Sequence, residues 1–338
     1  MRACILEGQA DVTTRPLSCA EVPDPEPGPG ELLVRVICCG VCRTDLHVVE
    51  GDLGPKKMPV IPGHQIVGEV VSEGGDGEGF SAGSMVGGAW LNRTCGKCKF
   101  CVSGRENLCD LPDFTGWTRD GGFAEYTVIP TAFAYPIPEG IEPVNAAPLM
   151  CAGIIGYRAM NLTSIGDWRG ARLGIYGFGA AGHVAIQLAR HRGAEVYVAT
   201  RDRETHQALA EELGAAWVGD TYDIPPDKLD ASIVFAPAGE IVPPALKALD
   251  KGGTLVLGGI HMSSIPEFEY SLIYGERVIR SVANNTRADG EEFLKEAVEA
   301  GVETSVETFW LEEANDALIA LKTDAIKGAA VLTVGEPS

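Results

Sequence analysis

The stretch RLGIYGFGAAGHVAIQLARHR, residues 172–192, decides the fold class of this chain. A strand-like run ends at Tyr176, a G-x-G-x-x-G motif follows, and a helix-like segment continues to Arg192. The motif alone is weak evidence in a chain with 42 glycines. Its place between a strand and a helix is typical of dinucleotide binding, and a tight turn without a ligand is the alternative. The predicted coenzyme contacts are Gly177, Gly179, Ala180, Ala181 and Gly182.

Two patterns divide the chain. The first 150 residues are rich in glycine, proline and short β-type runs, which predicts an irregular β-rich domain. From about residue 151, strand-like and helix-like segments alternate, including a predicted helix over 204–213. Such alternation predicts a doubly wound parallel sheet with helices on both faces, so the chain is expected to be an α/β protein of two domains.

The composition excludes several classes of protein. A formal net charge of −20, from 27 basic and 47 acidic residues, repels nucleic acid and anionic membranes. No apolar run approaches the length that spans a bilayer, and the first residues lack the apolar core of a signal peptide. Ten cysteines without an export signal are consistent with reducing surroundings, so a cytoplasmic location is expected.

Four cysteines form a C-x2-C-x2-C-x7-C cluster. Four thiolates at this spacing can close a tetrahedron around one zinc ion, and a full site of this kind holds a lobe (about residues 92–112) together. An iron–sulfur cluster also uses four cysteines, though usually at other spacings. Disulfides are less favourable, because cysteines so close in sequence bridge poorly. The predicted structural zinc ligands are Cys95, Cys98, Cys101 and Cys109.

The end of the strand after the glycine motif bears on the choice of coenzyme. NAD enzymes usually place an acid there for the adenosine ribose, whereas NADP enzymes accept the 2′-phosphate with small and basic residues. Thr200 can hydrogen-bond a phosphate and Arg201 can clamp it. Asp202 would be the ribose acid if the strand ended later. The pattern therefore favours NADP, with NAD as the alternative.

Three further candidate metal ligands, Cys42, His64 and Cys151, are far apart in sequence. A Cys-His-Cys set is typical of a catalytic zinc, whose fourth position stays open for water or substrate. Buried thiols and a packed histidine are the alternative interpretation. Cys38 and Cys39, close to Cys42 in a strand-like run, are expected to pack in the core instead.

Together these motifs resemble those of a zinc-dependent medium-chain alcohol dehydrogenase. Besides the cysteine cluster and the glycine motif, the matching segments are Gly40-Val41-Cys42-Arg43-Thr44-Asp45-Leu46-His47, Gly63-His64-Gln65 and Met150-Cys151-Ala152-Gly153. The resemblance covers essentially the whole chain in the right order. It implies a GroES-like catalytic domain over 1–150 and 286–338 and a Rossmann coenzyme domain over 151–285.

The resemblance makes Cys42, His64 and Cys151 the ligands of a catalytic zinc, so that two zinc ions are expected per chain. In such an enzyme the zinc lowers the pKa of the alcohol, and hydride passes from the alcohol carbon to the nicotinamide. The family usually has Gly-His-Glu, and this chain has Gln65 in place of the acid. A neutral amide should make the zinc a stronger Lewis acid, and it leaves ligand exchange and metal retention open.

The residues after Cys42 also take roles from the resemblance. Thr44 corresponds to the hydroxyl that touches the alcohol, and His47 to the group that passes the proton onward through the nicotinamide ribose. Asp45 corresponds to the carboxylate that fixes the tautomer of His64. Arg43 corresponds to a pyrophosphate contact. Without the resemblance, surface, turn and cap roles would be the more favoured interpretation.

Loops after later strands of the sheet supply the remaining expectations. Ala236 and Gly259 are expected to contact the coenzyme, because such loops face the ligand in doubly wound sheets. Trp90 and Leu53 fall where family members line the alcohol pocket, and a large ring suggests a slot for primary or aromatic alcohols, although a core role is the alternative.

The expected activity is reversible hydride transfer between a primary or secondary alcohol and NADP or NAD, giving an aldehyde or ketone. A polyol or cinnamyl-type dehydrogenase of the same family is one alternative, and a non-catalytic nucleotide-binding relative is another. The resemblance implies a homotetramer or homodimer with a small-molecule substrate and with no nucleic-acid or membrane partner.

Overall fold

The structure is a computed structural model and describes residues 1–75 and 79–335. The chain forms two compact units. The first comprises Met1–Cys151, Thr286–Leu294 and Thr304–Ser338, and the second comprises Ala152–Asn285 and Lys295–Glu303. Among the described residues, none of the helices has the length and apolar character needed to cross a membrane.

Strands and helices are labelled in chain order. The strands are β1 (Arg2–Leu6), β2 (Leu17–Glu21), β3 (Glu31–Val41), β4 (Gln65–Glu73), β5 (Met85–Gly88), β6 (Leu91–Arg93), β7 (Asp113–Phe114), β8 (Tyr126–Pro130), β9 (Ala134–Pro136), β10 (Arg172–Tyr176), β11 (Glu195–Ala199), β12 (Trp217–Gly219), β13 (Leu229–Val234), β14 (Leu249–Leu257), β15 (Val278–Ser281), β16 (Val306–Trp310) and β17 (Ala329–Thr333).

The α-helices are α1 (Arg43–Glu50), α2 (Pro143–Ala146), α3 (Ala152–Asn161), α4 (Ala180–His191), α5 (Ala208–Glu212), α6 (Val242–Ala248), α7 (Arg287–Glu299) and α8 (Ala314–Lys322). A π-helix spans Arg203–Gln207. Short 3-10 helices span Val12–Thr14, Cys101–Ser103, Glu106–Leu108, Thr131–Phe133, Ala147–Met150, Gly239–Ile241, Tyr270–Leu272 and Leu311–Glu313.

The first unit is organised by a seven-stranded sheet. Its strands follow the order β16-β17-β3-β4-β5-β9, and β8 pairs with β3. The pairs β1–β2 and β6–β7 form separate two-stranded sheets. The predicted β-rich, GroES-like domain is thereby confirmed. Cys38 and Cys39 of β3 are fully buried, as expected for core thiols.

The second unit contains a six-stranded parallel sheet in the order β12-β11-β10-β13-β14-β15. Numbered within the unit, this order is 3-2-1-4-5-6, which defines the doubly wound dinucleotide-binding fold. The central strand β10 is apolar along nearly its whole length, because helices cover both faces of such a sheet. The strand–turn–helix prediction at residues 172–192 is confirmed by β10 and α4.

The observed units differ from the expected boundaries in two places. Cys151 is grouped with the first unit, and Lys295–Glu303 is grouped with the second. The second difference is explained by two contacts that Lys295–Glu303 makes with α4 and with the residue after it. Arg192 pairs with Glu296, with Nε 2.6 Å from Oε1, and Gln187 donates to the carbonyl oxygen of Glu303 at 2.8 Å.

Two local features were not predicted from the sequence. The segment 204–213, expected to be one helix, is divided into the π-helix and α5, because Gln207 N donates to the carbonyl oxygen of Asp202, five residues earlier, at 3.0 Å. The side chain of Asp202 caps the π-helix by accepting from Thr205 N at 2.9 Å. Cys4 and Cys19 form a disulfide between directly paired positions of β1 and β2. The sequence reasoning had left these two cysteines without a role.

The backbone at Gly63, directly before the candidate ligand His64, is crowded. Its φ is 94°, in the left-handed region, and a Cβ atom there would lie 2.3 Å from Cδ1 of Phe123. Its N–H donates to Asp45 Oδ1 at 3.2 Å. Only glycine therefore satisfies the conformation, the packing and the hydrogen bond together.

Replacing Gly63 by alanine is expected to lower the free energy of unfolding by about 1–3 kcal/mol more than the same change at Gly140. Gly140 is a matched control, since its φ is 89° but no atom lies within 4 Å of its ideal Cβ. Urea unfolding of the zinc-loaded variants measures both losses. Equal losses at the two positions would show that crowding against Phe123 contributes nothing.

Candidate active site and metal centres

The three sequence-distant ligand candidates meet in the first unit. One ligand atom from each of Cys42, His64 and Cys151 lies within 4.8 Å of the others. The Cys42 Sγ atom is 3.4 Å from Nε2 of His64. Tetrahedral zinc with bonds of about 2.3 Å to sulfur and about 2.1 Å to nitrogen separates two such ligand atoms by about 3.6 Å. The donor set and its spacing therefore fit zinc.

The first turn of α1 fixes the Cys42 ligand. Cys42 is the N-cap of the helix, and its Sγ accepts a hydrogen bond from Thr44 N at 3.3 Å. In return, Asp45 Oδ2 accepts from Cys42 N at 2.9 Å, which completes a capping box. The helix N-terminus and its N–H groups favour negative charge on the sulfur, as a metal-bound thiolate requires.

Asp45 also orients His64. Its Oδ1 accepts from Nδ1 of His64 at 2.9 Å, and both side chains are buried. This bond keeps a proton on Nδ1 and leaves Nε2, which faces Cys42, as the ring atom that a metal ion would bind in place of its proton. Burial alone would lower the pKa of His64, but the charges of Asp45 and Cys42 raise it to about 10. The expected tautomer role of Asp45 agrees with this geometry.

The protonation of the thiols provides a second test of the metal site. The hydrogen bond with Cys151, together with burial, raises the pKa of the Cys42 thiol well above its ordinary value. Two neighbouring thiolates and a buried carboxylate repel one another unless a cation lies between them. A divalent ion removes that repulsion and deprotonates the thiols, so the chemistry of the donor set fits zinc.

The four-cysteine cluster is brought together as predicted. Its four sulfur atoms lie within 4.8 Å of one another, with Sγ of Cys101 3.5 Å from that of Cys98 and 3.9 Å from that of Cys95. The edge of a zinc–sulfur tetrahedron is about 3.8 Å. The group therefore matches a closed structural site.

Backbone N–H groups surround these sulfurs. Cys109 Sγ accepts from Cys95 N at 3.3 Å and from Leu111 N at 3.4 Å, and Cys95 Sγ accepts from Cys98 N at 3.4 Å. A backbone hydrogen bond from Cys101 lowers the pKa of Cys98 to about 6. The loop thus favours the thiolates of Cys95 and Cys98 before any metal binds, whereas burial raises the pKa of Cys109 to about 11.

One histidine and one arginine of α1 have carboxylate partners that were not predicted from the sequence. His47 donates from Nδ1 to Asp52 Oδ2 at 2.7 Å, immediately beyond the helix C-cap Gly51. Arg43 pairs with Asp324, which has a φ of 56°. The first partner could have been expected, because it directly follows the helix C-cap, whereas the second comes from a distant part of the chain.

A stack of aromatic rings lies against the metal-site histidine. Trp90 packs edge-on to His64, with ring centroids 5.0 Å apart. Its other neighbours are Phe114 at 5.1 Å and Trp117 at 5.8 Å, both stacked nearly parallel to it. Trp90 and Leu53 were expected to line an alcohol pocket or to pack in the core, and the structure places Trp90 in a buried cluster against which Leu53 packs. The sequence reasoning did not single out Phe114 or Trp117.

The glycine motif in the second unit forms the turn between β10 and α4. Gly177 has a φ of 88°, and a Cβ atom there would lie 2.9 Å from the backbone nitrogen of Ala236. At Gly182 a Cβ atom would lie 2.9 Å from the carbonyl oxygen of Gly177. The helix begins at Ala180, with Gly179 as N-cap. Its N-terminal N–H groups are therefore available to a diphosphate.

The other coenzyme candidates lie at the carboxyl ends of neighbouring strands. Ala236 follows β13, Gly259 follows β14, and Thr200 follows β11 with its side chain buried. Arg201 is exposed beside it. Asp202 uses its carboxylate to cap the π-helix, and this hydrogen bond to Thr205 lowers its pKa. The cap occupies Oδ1 of Asp202, so a ribose contact by this residue would use Oδ2.

Comparison with known proteins agrees with this architecture. The family model for the alcohol dehydrogenase GroES-like domain matches residues 28–139, and that for the zinc-binding dehydrogenases matches residues 180–299. A probable alcohol dehydrogenase, AdhA of Mycobacterium tuberculosis, is 48% identical over 95% of this chain and 94% of its own length. An alcohol dehydrogenase of Geobacillus stearothermophilus is 36% identical over 95% of this chain and 97% of its own.

Solved structures give the same fold. A cinnamyl alcohol dehydrogenase of Sorghum bicolor superimposes with a TM-score of 0.89 at 28% identity, covering 98% of this chain and 97% of that one. Acetophenone reductase of Geotrichum candidum, solved in complex with NAD, gives 0.88 at 26% identity, covering 98% and 96%. The chain belongs to the zinc-dependent medium-chain alcohol dehydrogenase family. Its relatives make it an oxidoreductase acting on alcohols.

Replacement of Cys98 by serine is expected to remove one zinc per chain and to lower the melting temperature by several degrees, because the closed site holds the lobe together. Cys38→Ala is the control, since Cys38 is a buried thiol outside both ligand sets. Metal analysis and thermal unfolding are measured on the same preparations. Full zinc content in Cys98→Ser, with an unchanged melting temperature, would contradict the structural role.

Proposed function

We propose that this protein is a zinc-dependent alcohol dehydrogenase that interconverts alcohols with aldehydes or ketones, using NADP in preference to NAD. The observation that carries the proposal is the convergence of Cys42, His64 and Cys151 within 4.8 Å. Zinc bound there supplies a Lewis acid that draws electron density from the alcohol oxygen and favours loss of its proton. Three protein ligands leave the fourth position of the metal for substrate.

The residues of α1 perform the proton handling in this proposal. Thr44 lies two residues after the Cys42 ligand, and its hydroxyl accepts the alcohol proton and passes it on. His47, one turn later on the same helix, carries the proton away from the site. Its Nδ1–H donates to Asp52 at 2.7 Å, which fixes the tautomer with Nε2 as the acceptor. Arg43 binds the coenzyme diphosphate in place of Asp324.

The coenzyme preference rests on the end of β11. The buried hydroxyl of Thr200 and the guanidinium of Arg201 are suited to a 2′-phosphate, whereas the carboxylate of Asp202 already caps the π-helix. Gly177, Gly179, Ala180, Ala181 and Gly182 bind the diphosphate at the start of α4, and the backbone at Ala236 and Gly259 binds further along the coenzyme. Both coenzymes have a precedent among similar solved structures, because one of these was solved in complex with NAD and another was solved bound to NADP.

The aromatic stack favours one second candidate within the same reaction class. Trp90 lies beside His64, and Phe114 and Trp117 stack on Trp90; an apolar aromatic group so close to the proposed metal suits a cinnamyl-type or other aryl alcohol better than a polyol. The similarity to plant cinnamyl alcohol dehydrogenases supports this candidate. By family resemblance we also propose a homotetramer or homodimer in the cytoplasm.

Cys151→Ser is expected to reduce benzaldehyde-dependent oxidation of NADPH by at least two orders of magnitude, because it removes one catalytic metal ligand. The measurement compares initial rates of the variant and the zinc-loaded wild type, with circular dichroism as the control for folding. Near-normal activity in the variant would exclude this metal centre. No turnover by the wild type with a panel of aldehydes and ketones would favour the non-catalytic alternative.

Arg201→Ala is expected to lower kcat/KM for NADPH roughly tenfold to a hundredfold and to leave that for NADH nearly unchanged, because a charged hydrogen bond to the 2′-phosphate is lost. Arg203→Ala, on the adjacent π-helix, is the matched control and should not change the coenzyme ratio. A wild-type preference for NADH, or equal losses with both coenzymes in Arg201→Ala, would contradict the assignment to NADP.

A further inference from the structure

The disulfide between Cys4 and Cys19 presents its two sulfur atoms unequally to solvent. Cys4 is fully buried, whereas Cys19 is exposed on β2. Cys4 N donates to the carbonyl oxygen of Phe123 at 2.8 Å, on the edge of β1 that faces away from β2. The two cysteines therefore form a non-hydrogen-bonded pair, in which side chains lie closest together. A dissolved molecule can reach this bond at Cys19 only.

This disulfide belongs to a chain whose other thiols have to stay reduced. The remaining eight cysteines are free, and six of them belong to the two candidate metal centres. Cysteine binds zinc as a thiolate, and oxidation removes it as a ligand. Surroundings that keep such thiols reduced also contain thiols that attack an exposed disulfide. The Cys4–Cys19 bond is therefore expected to open and close reversibly there.

A cavity of about 190 Å³ lies beside the exposed sulfur, and its lining residues are Arg2, Cys19, Ala20, Glu21, Leu311 and Glu312. Two cations in this region, Arg2 and the N-terminal ammonium group, pair with four carboxylates, which belong to Glu21, Asp24, Glu125 and Glu312. The surplus of negative charge repels anions. The cavity is therefore suited to a small neutral or cationic molecule.

The fold also accommodates the sulfur that leaves when the bond opens. The carbonyl oxygen of Leu311 lies 3.2 Å from Cys4 Sγ and 4.0 Å from Cys19 Sγ. A Cys4 thiol can donate to this oxygen without moving, so cleavage does not leave an unsatisfied group in the core.

Strand β2 is held at both ends by contacts other than the disulfide. At one end Leu17 N donates to Asn315 Oδ1 at 3.1 Å, and Asn315 Nδ2 donates to the carbonyl oxygen of Leu17 at 2.9 Å. At the other end the N-terminal ammonium of Met1 donates to the carbonyl oxygen of Val22, and Val22 N donates to that of Met1, both at 2.8 Å. Cleavage therefore leaves the strand in place, and the bond can open without unfolding.

We propose that the Cys4–Cys19 disulfide is a thiol-exchange site, at which a small aliphatic thiol becomes attached to Cys19. The thiolate of the incoming molecule attacks Sγ of Cys19, a new S–S bond forms, and the bond to Cys4 breaks. The Cys4 sulfur leaves with the electron pair and takes up a proton from water, which replaces the proton that the attacking thiol released. One disulfide is exchanged for another, so no oxidant is consumed. The proposed dehydrogenase reaction uses neither cysteine.

The first test uses cysteamine, because its ammonium group suits the charge around the cavity. The zinc-loaded protein is incubated with cysteamine and quenched with acid, free thiols are alkylated, and unreduced peptides are analysed by mass spectrometry. The adduct on Cys19 is expected to exceed that on Cys4 by roughly tenfold or more, because only Cys19 is accessible. In urea, where both sulfurs are exposed, the two adducts are expected in similar amounts.

Two single variants separate the two sulfur atoms. Cys4→Ala leaves the exposed thiol of Cys19, and Cys19→Ala leaves the buried thiol of Cys4. With cystamine, the disulfide of cysteamine, Cys4→Ala is expected to form a mixed disulfide roughly tenfold or more faster than Cys19→Ala. Cys38→Ala is the control, because it removes a buried thiol elsewhere and should react with cysteamine as the wild type does.

Several results would overturn the inference. In the folded wild type, these are an adduct mainly on Cys4, or a disulfide that stays closed at cysteamine concentrations that open it fully in urea. Equal rates of Cys4→Ala and Cys19→Ala would contradict the assignment of Cys19 as the attacked sulfur. Loss of the circular dichroism signal or of zinc during exchange would show that opening requires unfolding. If Cys4→Ala does not fold, Cys4→Ser gives the same comparison.

Discussion

A single buried carboxylate, that of Asp45, connects the parts of the candidate active site. One oxygen accepts from Cys42 N, and the other accepts from Gly63 N and from Nδ1 of His64. These bonds fix the start of a helix, a crowded glycine turn and the orientation of an imidazole. Because the charge is almost fully buried, each donor is needed to offset the lost hydration. Asp45 thus ties together Cys42, at the start of α1, and His64, directly before β4.

The two metal centres differ in how the fold produces them. The four-cysteine cluster is built from one loop, whose own N–H groups donate to the sulfurs of Cys95 and Cys109, so its geometry is largely local. The other centre takes its ligands from three separate places: Cys42 directly follows β3, His64 directly precedes β4, and Cys151 directly follows a 3-10 helix. It exists only when the seven-stranded sheet is assembled. Loss of sheet structure would therefore abolish the open site before the closed one.

Much of this architecture could be predicted from the sequence, but not all of it. The glycine motif specified β10 and α4, because only glycine permits the contacts of Gly177 and Gly182. The Cys95 to Cys109 spacing specified a local site. Cys42, His64 and Cys151 carried no local signal and became candidates through family resemblance. The pairing of Arg43 with Asp324 and the cap at Asp202 could not be foreseen, since each depends on backbone geometry that residue spacing does not encode.

The cap at Asp202 has a consequence for engineering of this protein. Coenzyme preference in this fold is commonly treated as a property of one or two side chains at the end of a strand. Here the same acidic side chain holds a left-handed backbone and starts the π-helix directly after Thr200 and Arg201, which we propose to bind the adenosine end of the coenzyme. Attempts to exchange one coenzyme for the other are therefore coupled to the shape of the loop. A design that alters this position needs a replacement, such as asparagine or serine, that preserves the turn.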